Sequence, residues 1–171
     1  MRIRTEEIKD DEAVHHLNVA AFGNREDEAQ LVERIRSSEG FIPKLSIVAE
    51  IDHKLVGHIL LSKAKVVDAA KEHEVIVLAP IAVNPDYQKQ GVGSQLILEG
   101  IRRTKDIGYG AVFLIGHPTY YPKFGFKPAR SYGYELKQFQ VPDEVFMVCE
   151  VVKGQLQNMK GELQYPDSFF S

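Results

Sequence analysis

The sequence predicts an α/β chain, a mixed sheet with helices on its faces. Three observations carry this. Apolar residues alternate with others over Leu45–Ile51 and return over Leu55–Leu61, the two-residue period of strands, with Asp52-His53 as a hairpin turn between them. A continuous apolar run, Val75–Val83, precedes a long amphipathic segment and a second apolar run, Ala111–Ile115. Strand, helix and strand in that order form a crossover whose two strands run parallel. Late runs from Phe126 and over Val145–Val152 read as antiparallel additions.

The elements follow in order. Ile3–Ile8 reads as a short strand. Asp10 and Asp11 offer N-cap oxygens to a helix carrying Val14, Leu17, Ala20 and Ala21, which Gly23 and Asn24 end. Ala29, Leu31, Val32 and Ile35 mark a second helix, closed by Gly40–Pro43. After the hairpin, Asp68–Glu74 reads as a polar connection, then Val75–Val83 as a strand buried on both faces. Asn84-Pro85-Asp86 is a turn. The next helix sets Val92, Leu96, Ile97, Gly100 and Ile101 on one side and Gln95, Glu99, Arg102 and Arg103 on the other, up to Gly108–Gly110. A short helix is expected around Thr119–Phe124. No repeat or linker appears. Residues 1–153 are expected to form one domain, with the tail 154–171 packed on it through Tyr165, Phe169 and Phe170.

Composition narrows the function. A chain of 171 residues, 44% hydrophobic and 26% charged, has material for a full core and none of the bias of a disordered chain. Its 21 Lys and Arg against 24 Asp and Glu give a net charge of −3, which speaks against nucleic-acid or acidic-membrane partners. One cysteine, Cys149, excludes an intramolecular disulfide and fits a reducing compartment. The six histidines and Cys149 show no ligand spacing, so no metal is expected. Met1–Asp11 lacks an apolar secretory stretch, and the nine-residue run Val75–Val83 falls short of the ~20 residues of a membrane span. A cytoplasmic protein is expected.

The chemistry concentrates in Pro80-Ile81-Ala82-Val83-Asn84-Pro85-Asp86-Tyr87-Gln88-Lys89-Gln90-Gly91-Val92-Gly93-Ser94. Pro80 cannot donate to a ladder, so the sheet must bulge or open beside it; a plain bulge or an edge strand fits the proline equally. Gly91 and Gly93 open a helix whose first amides and positive dipole end suit a phosphate. A tight strand-to-helix turn uses the same glycines. Neither a Gly-Lys-Ser/Thr loop nor the third glycine of a dinucleotide fingerprint is present, since Leu96 stands there. Gly116-His117-Pro118-Thr119-Tyr120-Tyr121-Pro122-Lys123-Phe124-Gly125-Phe126 follows the second parallel strand, at the end of a sheet where ligands collect. Its tyrosines fit amphipathic packing as well as acid chemistry.

Together, Gln88-Lys89-Gln90-Gly91-Val92-Gly93 and Tyr121-Pro122-Lys123-Phe124-Gly125-Phe126 resemble the GNAT superfamily of acyl-CoA-dependent N-acyltransferases, in particular a branch of bacterial acetyltransferases. The element order matches up to about Lys153. The resemblance implies a mostly antiparallel central sheet with one splayed parallel pair and helices on both faces. It implies acetyl-CoA as cosubstrate and direct transfer to a primary amine of a small molecule or peptide, with no covalent enzyme intermediate. It places pantetheine along Ile81, Ala82 and Val83, and pyrophosphate on the amides of Gln88, Lys89, Gln90, Gly91, Val92, Gly93 and Ser94. Tyr121 matches the family's tyrosine at the thiol, donating a hydrogen bond or proton to the leaving thiolate, with Tyr120 and Phe124 lining the cofactor beside it. Relatives of this kind often pair as homodimers. The general base stays open among Glu50, His58, Glu74, Asn84 and His117, none of them assigned. A non-catalytic acyl-CoA sensor on the same fold and a nucleotide-phosphate enzyme using the glycine loop are the alternatives.

Overall fold

Nine strands and three α-helices make up the chain, and the computed structural model describes residues 1–171. They are β1 (Arg2–Thr5), α1 (Asp11–Ala21), α2 (Asp27–Arg36), β2 (Ser46–Ile51), β3 (Lys54–Asp68), β4 (Lys71–Val83), α3 (Val92–Asp106), β5 (Ala111–Ile115), β6 (Phe126–Pro128), β7 (Tyr134–Leu136), β8 (Phe146–Glu150) and β9 (Gly161–Gln164). The pairing order is β1-β2-β3-β4-β5-β8-β6, with β9 joined to β3 and β7. The β4–β5 register is parallel, as the crossover requires, and the β1–β2, β2–β3, β5–β8 and β6–β8 registers are antiparallel. Two compact units share the chain, and β3 and β4 run through both.

The first unit comprises Met1–Ser62, Ala79–Arg103 and Asp167–Ser171. On one sheet face, Val14, Val32 and Ile35 of α1 and α2 bury against Val48 and Leu60, with Leu31, Phe41, Leu55 and Phe169 around them. On the other face lies α3. It sits close because two glycines let it. A Cβ on Gly57 would stand 2.7 Å from Val92 Cγ1 and 2.9 Å from Leu96 Cδ1, and one on Gly100 would stand 2.8 Å from Leu61 Cδ1. Arg34 Nε of α2 donates to Ser168 O at 2.8 Å, fastening the last residues to the first unit.

The second unit comprises Lys63–Leu78 and Thr104–Pro166. Phe113 of β5 anchors it, meeting Tyr134 edge-on at 5.0 Å and stacking on Phe146 at 6.1 Å between ring centres. β9 pairs antiparallel with β3 through Val66↔Leu163 and parallel with β7 through Leu136↔Leu163. The Gln138 side chain then clasps the tail, donating to Tyr165 O at 3.0 Å and accepting from Tyr165 N at 2.7 Å.

The structure departs from the sequence expectations in four places. The first strand ends at Thr5, and Ile8, expected inside it, is 91% exposed in a 3-10 turn. Asp10 stands at the N-cap of α1 without capping it, because its carboxylate accepts from Arg4 at 2.7 and 3.0 Å and from Glu7 N at 2.8 Å. Asp68–Glu74 is no connection: β3 and β4 extend to Asp68 and from Lys71 and leave only Ala69-Ala70 between them. β7 and β9 were not foreseen, their runs of three and four residues being too short to show a period.

Candidate active site

In the first unit the site begins at the end of β4. Its parallel register with β5 comprises Ile76↔Val112 and Val77↔Phe113, and β4 then continues through Pro80 to Val83. Asn84 N donates to Val56 O of β3 at 2.8 Å. Backbone groups alternate direction along a strand, so Ala82 N–H faces β3 and the amides of Ile81 and Val83 point to the opposite edge. Pro80 and Ala82 are buried, whereas Ile81 and Val83 stay partly accessible. The strand therefore presents two outward N–H groups, those of Ile81 and Val83.

A short loop leads into α3. Asn84 Oδ1 accepts from Asp86 N at 2.9 Å and starts a 3-10 turn over Pro85–Tyr87. The Gln88 side chain reaches back to Val83 O at 3.3 Å and holds the loop to the strand end, and Gln90 Nε2 reaches Asp86 O at 3.4 Å within the loop. The chain turns through left-handed backbone at Lys89 (φ +62°) and Gly91 (φ +87°). Gly91 is glycine for that dihedral and not for close quarters, since a Cβ there would meet nothing within 4 Å. Gly91 O accepts from Gln95 N at 3.1 Å, the first bond of α3. That leaves the amides of Val92, Gly93 and Ser94 as the first turn's unbonded donors, at the positive end of a helix dipole. Lys89 and Gln90 are exposed beside them. Three consecutive residues thus offer a cup of N–H groups to an anion.

The second unit holds an aromatic cluster. A 3-10 turn, Tyr121–Phe124, is closed by Gly125 at φ +98°, whose N–H donates to Pro122 O at 3.0 Å. Tyr120 meets Tyr121 edge-on at 5.1 Å and Phe124 at 5.3 Å, and Tyr121 meets Phe126 at 5.8 Å. Lys123 Nζ lies 4.3 Å from the Tyr120 ring centre, a cation–π contact. Burial, with Tyr120 beside it, pushes the Tyr121 phenol up to about 12. Burial also pushes the Cys149 thiol up to about 11, so the chain's one thiol is no nucleophile at neutral pH.

The five candidate bases are all engaged. Glu50 is paired with Arg4, which holds its carboxyl below the usual range. Glu74 accepts from Tyr109 Oη at 2.9 Å. Asn84 serves its turn, and His117 Nδ1 stands 3.1 Å from Thr119 Oγ1. His58 is fully buried, and desolvation, with Arg36 second, drives its pKa down to about 3. Ser46 Oγ donates to Glu6 at 2.6 Å and lies 3.0 Å from His58 Nε2, while Asn18 Nδ2 lies 3.4 Å from Nδ1. A hydroxyl committed to Glu6 must accept from His58, so the neutral ring carries its proton on Nε2. His58 is a structural histidine. Gly57, one residue before it, escaped the sequence reading, although a glycine inside an alternating strand is itself a sign of close backbone approach.

Residues 11–126 match the Acetyltransferase (GNAT) family. The chain belongs to this family. It is 39% identical to the uncharacterised N-acetyltransferase YjhQ of Escherichia coli K12 over 77% of this chain and 72% of that one. A crystal structure of the GNAT family N-acetyltransferase YhbS from Escherichia coli in complex with CoA superposes with a TM-score of 0.89 at 27% identity, covering 98% of this chain and 91% of that one. A GNAT family acetyltransferase from Brucella melitensis in complex with acetyl-CoA gives 0.78 at 26% identity, covering 98% and 97%. The protein is thus a GNAT acetyltransferase with an open mixed sheet that contains the parallel pair β4–β5. No group of His, Cys, Asp and Glu in it is arranged to hold a metal ion, and no helix is long and apolar enough to cross a membrane.

Proposed function

We propose that the protein transfers an acetyl group directly from acetyl-CoA to a primary amine of a small molecule or peptide. The reading rests on one observation: the outward amides of Ile81 and Val83 lead, through a Gly91-led turn, to the open first turn of α3. The first pair suits the amide and carbonyl groups of pantetheine and acetyl, the second a pyrophosphate. Relatives with CoA and acetyl-CoA bound support the same assignment. An N–H aimed at the acetyl carbonyl stabilises the oxyanion as the amine adds. Gln88 and Gln90 act through the loop, and Val92, Gly93 and Ser94 hold the phosphates, with Lys89 adding positive charge.

Tyr121 faces the departing thiolate in this reading, flanked by Tyr120 and Phe124. A phenol near 12 keeps its proton. Handing it fully to a thiolate near 8.5 is uphill by ~5 kcal/mol, so Tyr121 acts as a hydrogen-bond donor that stabilises the leaving sulfur. No covalent intermediate forms, since Cys149 is buried and protonated. With the five protein candidates engaged, water carries the ammonium proton away from the acceptor.

A thiol-release assay with acetyl-CoA and a panel of primary amines tests the reading. Coenzyme A release that depends on the amine, with a matching N-acetyl product, is the expected result. Tight acetyl-CoA binding with no release to any amine contradicts it and favours an acyl-CoA sensor.

A further inference from the structure

The Tyr121 ring is held by the edges of Tyr120 and Phe126, and it is also held by an empty space. Gly116 follows β5, and its amide donates to Val145 O at 2.9 Å. A Cβ built there would stand 2.4 Å from Tyr121 Cε2, 3.0 Å from Tyr121 Cδ2 and 3.2 Å from Leu114 Cδ1. Unlike Gly91 or Gly125, Gly116 has no left-handed backbone that would by itself demand glycine. Glycine at 116 is required for room, and the two nearest atoms that fill the room belong to one ring.

We infer that Gly116 is a positioning residue: its missing side chain sets where the Tyr121 ring rests, and with it where the phenol proton is offered. The inference builds on the role proposed for Tyr121. Restoring ordinary contact of about 3.4 Å from 2.4 Å moves the ring edge by about 1 Å. The ring cannot yield evenly, because Tyr120 and Phe126 close on it at 5.1 and 5.8 Å. A displacement of ~1 Å in a reacting group can cost ~100-fold in rate.

The test is a cycle of Gly116→Ala and Tyr121→Phe, followed by kcat, the KM for acetyl-CoA and thermal melting. Gly116→Ala is expected to lower kcat by at least about tenfold while the KM for acetyl-CoA stays within about twofold. In the Tyr121→Phe background, Gly116→Ala is expected to change kcat by less than about twofold, since the proton it displaces is already gone. An equal kcat loss in both backgrounds overturns the inference. Two readouts stand apart from turnover. In protein labelled with 13C-tyrosine, the Tyr121 resonance of Gly116→Ala shifts; an unmoved resonance overturns the inference. If Gly116→Ala melts too early for kinetics, its loss of Tm is recovered in the Tyr121→Ala background, which removes the obstructing ring, and an unrecovered loss overturns it. A silent Tyr121→Phe refutes the donor role alone, because the resonance and the melting still report whether Gly116 places the ring.

Discussion

The end of β4 with the first turn of α3, and the tyrosine turn Tyr121–Phe124, are built by opposite means for the reaction proposed. The first is main chain: outward amides at Ile81 and Val83, a left-handed Gly91, and a helix start whose donors are unbonded. Its side chains do supporting work, as Gln88 does in clasping Val83 O. The second is side chain throughout: four aromatic rings edge to edge, with Lys123 over two of them. A main-chain site is damaged by whatever changes backbone shape or charge at its mouth. A side-chain site is damaged by the loss of a single atom. Binding and turnover are therefore expected to fail separately.

The largest separation comes from Gly91→Glu. The substitution forces a side chain into φ +87° and sets a carboxylate beside the amides proposed to hold the pyrophosphate. Calorimetry is expected to show acetyl-CoA affinity reduced by about 100-fold or more; unchanged affinity would break the main-chain half of the comparison. Next is Tyr121→Phe. Losing one hydrogen bond to a charged sulfur, about 1.5–3 kcal/mol, lowers kcat by about 10- to 100-fold with affinity for acetyl-CoA kept within about twofold. Turnover within about twofold of the unaltered enzyme would make Tyr121 a wall. A smaller effect comes from Gly57→Ala, which lifts Val92 and Leu96, and so the start of α3, off β3. Overpacking of this kind costs about 1–3 kcal/mol of stability, and the KM for acetyl-CoA is expected to rise several-fold while kcat holds. A kcat loss without a change in KM would place Gly57 on the wrong side of the comparison.

The last effect concerns stability and leaves turnover aside. His58 titrates near 3 when folded and near 6.5 when unfolded. Below 6.5 the unfolded chain binds a proton that the native one refuses, so stability drains as pH falls, by about 1.4 kcal/mol per pH unit until the folded value is reached. Denaturant unfolding from pH 6.5 to 4 is expected to show this slope, and His58→Gln to flatten it. An equal slope in the two proteins would mean that other groups set it.

The legible parts of the sequence were those written in period and backbone chemistry. Val75–Val83, the amphipathic α3 and Ala111–Ile115 announce a parallel pair because a crossover is the connection such strands accept. Gly91 announces a turn because few other residues adopt its dihedral. The illegible parts depend on what lies across space. Asp10 looks like a helix cap until Arg4 takes its carboxylate. Lys71–Glu74 look like a loop because strand residues facing solvent are polar too. A glycine inside a strand signals a close approach at Gly57, but which side chains use the room at Gly57 and Gly116, namely Val92, Leu96 and Tyr121, no local pattern reveals.

The central claim is that main-chain N–H groups at the end of β4 and the start of α3 grip the cofactor. Amide hydrogen exchange with and without saturating acetyl-CoA tests it most directly. Protection is expected at Ile81 and Val83 together with Val92, Gly93 and Ser94, while Ala82, already facing β3, changes least. Saturable binding that leaves the exchange of these five amides unaltered would contradict the account.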